Sequence, residues 1–95
     1  MLPSKKYYAN QFVARDAKCN GMIAGGLMLG ARVLVKDLNL LAHTNPLRDI
    51  CKELEAVVVI AEPFIDTENT ITMVVYHEPS KTEHAVRAEN WVVAL

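Results

Sequence analysis

This chain lacks a surplus of either charge, has few cysteines, and confines its glycines to a single short stretch. Ten Lys/Arg stand against eleven Asp/Glu, a net charge of −1. That balance gives no basic surplus for a nucleic-acid partner. Cys19 and Cys51 are the only cysteines, with no CxxC. Lys5 and Lys6 are followed by polar and aromatic residues instead of an apolar run, so no signal-peptide pattern is present. The expectation is two free thiols in a reducing cytoplasm. No apolar run reaches the roughly 20 residues needed to cross a ~30 Å hydrocarbon core. The uncharged run Gly21–Ala31 is followed by Arg32, Lys36 and Asp37, so no membrane partner is expected. Its GGLMLG segment has no Lys-Ser/Thr and no GxGxxG spacing, which argues against a phosphate loop.

What is present is an apolar surplus in a small chain. At 95 residues one domain is expected, and 52% of the residues are hydrophobic against 22% charged. A small chain has much surface to cover, so the surplus predicts a buried interface and hence a homo-oligomer. The charges are also segregated. Residues 1–54 hold eight Lys/Arg and four Asp/Glu, whereas residues 55–95 hold two and seven. The halves are thus about +4 and −5, suiting a dipolar subunit or an anionic partner.

Along the chain, Ser4 is a candidate N-cap, and Tyr8, Ala9, Phe12, Val13 and Ala17 recur at helical spacing over Lys5–Lys18. Asn20-Gly21 is a plausible stop. From Met22 to Ala42 the length suits a second helix, although Arg32–Leu38 alone also reads as a strand. Thr44 or Asn45 with Pro46 then opens a short helix reaching about Leu54. AVVVIAEPF (56–64) is rich in β-branched residues and is expected to end at Pro63; its lack of alternation predicts cover on both faces. DTEN (66–69) reads as a turn, and TITMVVYH (70–77) as the second strand of an antiparallel hairpin. Ser80-Lys81-Thr82-Glu83 has capping-box form, predicting a helix over 81–89. Trp91–Leu95 reads as a last strand whose apolar side chains need cover. The fold class expected is α+β: a helical N-terminal half packed on a small, mainly antiparallel sheet from the C-terminal half.

On a helical wheel Lys18, Gly21, Gly25, Arg32, Lys36, Asn39 and His43 fall within about a 60° sector. Gly costs about 1 kcal/mol against Ala inside a helix, so four glycines need a close neighbour to offset them. That neighbour is another helix, or an anionic ligand or acidic protein segment lying along the basic edge. Tyr7 and Tyr8 beside Lys5 and Lys6 add a group able to stack a ring and hold a phosphate. The candidate ligand-binding residues are therefore Tyr8, Lys18, Gly25, Arg32, Lys36 and His43. No two of His43, His77, His84, Cys19 and Cys51 sit at ligand spacing on one element, so no metal and no cofactor are expected. His77-Glu78 and Glu83-His84 flank Ser80 and supply bases, but nothing presets an oxyanion hole. The function expected is that of a non-enzymatic binding protein that occupies or sequesters a partner, either an acidic protein surface or an anionic small molecule such as a nucleotide. The alternatives are a purely structural subunit of a larger assembly and a small enzyme using His77 or His84.

Overall fold

A computed structural model describes residues 16–52 and 54–94. The expected helix over Lys5–Lys18 lies almost wholly outside these residues, as do Ser4, Tyr7, Tyr8 and Leu95. The described chain begins in a helix, α1, seen over residues 16–24. It passes straight through Asn20-Gly21 and stops at Gly25-Gly26. Gly26 N–H donates to Ile23 O (3.0 Å) and Leu27 N–H donates to Met22 O (3.0 Å). These are the two bonds of a Schellman stop, with Gly26 at the left-handed position, φ +115°. Met22 packs on the core cluster that includes Leu27, so apolar side chains occupy the two positions that this motif brings together.

The expected helix over Met22–Ala42 is therefore corrected. After Gly30, at φ +83°, the chain enters strand β1, Arg32–Val35. The alternative strand reading of Arg32–Leu38 is the one that holds in part. A single 3-10 turn, Leu38–Leu40, and a single α-helical turn, α2 (Leu47–Ile50), follow. Then come β2 (Val57–Ile65), β3 (Ile71–His77), β4 (Thr82–Arg87), a 3-10 turn (Ala88–Asn90) and β5 (Trp91–Val93). The five strands form one antiparallel sheet in the order β4-β3-β2-β1-β5. The fold is α+β, but its N-terminal half contributes a central strand as well as helix.

The hairpin forms where the β-branched residues and the DTEN turn place it. Asp66 Oδ1 accepts the N–H groups of Glu68 (3.0 Å) and Thr70 (2.9 Å), and Oδ2 accepts the Thr72 hydroxyl (2.8 Å). These bonds, the Thr70 N–H foremost, hold the Asp66 carboxyl below the usual carboxylate range. Strand β2 does not stop at Pro63. The β2–β3 register shifts between Val59 and Ala61 and again before Phe64. On the other side β1 pairs only as far as residues 57–59 of β2. Pro63 thus lies beyond β1, where its missing N–H breaks no ladder bond.

The helix expected over 81–89 is also corrected. Lys81 sits at φ +55° in a turn, with its N–H on Glu78 O (3.1 Å), and β4 starts at Thr82. Pairing on β3 takes the ladder bonds, and inward His84 and Val86 alternate with outward Glu83, Ala85 and Arg87.

Register sorts the sheet into two faces, because directly paired residues share a side. Val33, Val57, Val59, Met73, Val75, His84, Val86 and Trp91 face inward, all buried. Residues 36–52 cross this face and drive Leu41, Leu47 and Cys51 into it, with Leu27 joining from the loop after α1. β2 is accordingly buried on one face only, with Val57 and Val59 inward and Ile60 at 36% exposure.

Candidate functional site

The structure does not bring the sequence-predicted site residues to one edge. Lys18 is exposed on α1, with Nζ 3.9 Å from Glu89 Oε2. Gly25 closes α1 and borders a shallow apolar recess with Met22, Leu27, Trp91, Val92 and Val93. Arg32 opens β1, and Lys36 follows its end, donating its backbone N–H to Asn90 O (2.8 Å). Four residues of extended chain separate these two by about 13 Å, at ~3.3 Å per residue. His43 is exposed in the turn before α2. Tyr8 lies outside the described residues. The basic helical edge depended on one continuous helix, and the Schellman stop at Gly26 removes it.

Two other features have the geometry of a site. The first is the outer face of the sheet. One rung runs Arg32–Val58–Tyr76–Glu83 across β1, β2, β3 and β4. Leu34 and Val92 pair beside it on β1 and β5, and Val74 and Ala85 beside it on β3 and β4. Leu34, Val58, Val74 and Tyr76 are half-buried, and Val92 is 44% exposed. An apolar row thus lies open to solvent, with a cation at one end of the rung and a carboxylate at the other. The row is as long as three strand spacings of ~4.8 Å, about 14 Å.

The second feature gathers where α2, the start of β2 and the end of β3 meet under the sheet. His77, 2% exposed, is hydrogen-bonded through Nε2 to Glu55 Oε1 and through Nδ1 to Ser80 Oγ (2.6 Å). Ser80 Oγ continues to Thr82 Oγ1 (2.6 Å), and Thr82 Oγ1 to His84 Nε2 (2.7 Å). Burial, and then the neighbouring His77, push the His84 pKa below the ordinary imidazole value. Cys51, 4% exposed, lies alongside. Its thiol is pushed up by burial and by the Glu55 carboxylate. Cys51 Sγ, a Glu55 carboxylate oxygen and a His77 ring nitrogen all lie within 4.8 Å of one another.

Chemically, a carboxylate–imidazole–hydroxyl array can move a proton. Its hydroxyl, however, is already engaged: Ser80 Oγ meets His77 Nδ1, Thr82 Oγ1 and the His77 carbonyl (3.4 Å). Such a hydroxyl serves as a link more readily than as a nucleophile. Of this group the sequence pointed to His77, Ser80 and His84. Glu55 carried no signal, and Cys51 was expected only as a free thiol. The three potential ligands come from three separate elements, so their spacing in the chain shows nothing. Among the described residues, no helix is long and apolar enough to cross a membrane. Compared with family models, curated proteins and solved structures, the chain matches none.

Proposed function

We propose that this protein works by binding, not by catalysis, and that its contact surface is the outer face of the sheet. The observation that supports it is the Arg32–Val58–Tyr76–Glu83 rung. The occupant that suits this rung is a second copy of the chain. A two-fold axis parallel to the strands, passing between Val58 and Tyr76, sets Arg32 of one copy opposite Glu83 of the other. The apolar centres then meet face to face, as in aligned sheet packing. The hydrophobic surplus of the composition is consistent with the same assembly. The homo-oligomer so formed acts as a binding protein that occupies or sequesters a partner, with Lys36, exposed beyond the end of β1, available to an acidic one.

Sedimentation equilibrium tests the surface. The wild-type chain is expected to dimerise, and Tyr76→Arg is expected to stay folded by circular dichroism yet run as a monomer. A wild-type monomer at roughly 100 μM, a hundredfold above a 1 μM dissociation constant (about −8 kcal/mol), would overturn the proposal.

A second reading is favoured by one observation: the chain from Glu55 through His77, Ser80 and Thr82 to His84 is the arrangement a small enzyme using His77 or His84 would need. Unchanged turnover of every screened substrate in His77→Ala and His84→Ala would remove it.

A further inference from the structure

We infer that Cys51, Glu55 and His77 form a site for a single divalent transition-metal ion of the zinc class, independent of the sheet-face reading. The donor set is one thiolate, one imidazole and one carboxylate, a combination suited to zinc. Bond lengths of about 2.0–2.3 Å in a tetrahedral site put ligand atoms roughly 3.3–3.7 Å apart. The three donors here lie within 4.8 Å of one another, so closure on an ion needs side-chain movement of about 1 Å. Three protein ligands leave a fourth position for water, and Glu55, with its side chain 22% exposed, supplies the solvent side.

The surroundings of His77 point the same way. A histidine that binds metal through one ring nitrogen holds its orientation by donating the other N–H to an acceptor. Ser80 Oγ, 2.6 Å from His77 Nδ1, is that acceptor. The direction of the remaining bonds is then set. His77 Nδ1–H donates to Ser80, the Ser80 hydroxyl donates to Thr82, and the Thr82 hydroxyl donates to His84 Nε2. Every hydroxyl donates once and accepts once, and the chain ends on a bare imidazole nitrogen. Without metal the order runs the other way throughout. The Glu55 carboxylate accepts from His77 Nε2–H, Nδ1 accepts from Ser80, Ser80 accepts from Thr82, and Thr82 accepts from His84 Nε2–H. Coordination therefore releases the Cys51 thiol proton to solvent and moves the His77 ring proton from Nε2 to Nδ1. Cys51 packs in the core with Leu41 and Leu47, and its Sγ is the core atom set beside the Glu55 carboxylate and the His77 imidazole. As ligands the three account for one another.

Cobalt(II) titration of the reduced, metal-free protein tests the site. One ion per chain is expected, with a thiolate-to-cobalt charge-transfer band and the visible bands of four-coordinate cobalt. Cys51→Ser is expected to abolish the charge-transfer band, and Cys19→Ser to leave it intact. Cys51→Ala, which keeps an apolar side chain in the core, repeats the test should the serine perturb folding. Ser80→Ala is expected to weaken binding about 10-fold or more while keeping the stoichiometry. Zinc is expected to raise the melting temperature of the wild type but not of Cys51→Ala. Absence of a charge-transfer band in the wild type, or a band that survives both Cys51 substitutions, would overturn the assignment.

Discussion

Gly26→Ala separates this structure from a continuous helix by the sign of its effect. In a helix interior, alanine in place of glycine stabilises by about 1 kcal/mol. At the observed position the reverse holds, for two reasons. Gly26 has φ +115°, and an L-residue forced to positive φ costs about 1–2 kcal/mol. A Cβ there would also stand 2.6 Å from Val93 Cγ2. Val93 is β-branched and stiff about χ1, and it is paired with Val33 in the sheet, so it yields only with repacking, at about 1–3 kcal/mol. Together the loss is about 2–5 kcal/mol. A double-mutant cycle divides it. In a Val93→Ala background the clash disappears and only the backbone part remains, leaving about 1–2 kcal/mol. Urea unfolding followed by circular dichroism measures all four proteins, with the m-value checking that the unfolded state is unchanged. A neutral or stabilising Gly26→Ala would refute the left-handed stop and restore the helical reading.

Other consequences follow from the burial and the ionisation of single groups. Leu47 is 0% exposed in a one-turn helix held by packing, so Leu47→Ala is expected to cost about 2–5 kcal/mol in urea unfolding. Exposed Leu40→Ala is expected to stay within about 0.5 kcal/mol. The His84 pKa is lowered in the fold from an ordinary value of 6.5, so the unfolded chain takes up the proton first. Its contribution to stability is therefore present above pH 6.5 and is lost as pH falls below it. Melting temperatures from pH 8 to pH 5 should decline on the acid side, and His84→Gln should flatten that decline.

Residues whose local chemistry agrees with their pairing were legible in the sequence. The hairpin of β2 and β3 follows from β-branched runs around an Asp-led turn, and β5 from its Trp-Val-Val run. Three segments read differently because local signals alone did not decide them. Gly25 and Gly26 follow a helix and precede a strand, so the same glycines read either as a smooth helix face or as a stop. What decides is the Gly26–Val93 approach, a long-range contact. Ser80–Glu83 has capping-box form, whereas the alternation of Thr82–Arg87 shows only in its burial once paired. The free edge of β3 decides for the strand. Strand β1 is only four residues long, and its place between β2 and β5 is set by neighbours distant in the chain. The same holds for the polar cluster. His77 and His84 were visible as candidate bases, but Glu55 and Cys51 reach them only when the chain carrying Leu41 and Leu47 folds across the sheet.

The rung-on-rung assembly is tested most directly by exchanging its end charges. Arg32→Glu and Glu83→Arg, taken singly, each set like charges opposite one another twice in a two-fold dimer. Each should weaken dimerisation about tenfold or more in sedimentation equilibrium at low salt. The double exchange, Arg32→Glu with Glu83→Arg, restores opposite signs and should recover the wild-type dissociation constant to within about threefold. A double variant as weak as the single ones, or single variants that dimerise like the wild type, would contradict the pairing of these faces.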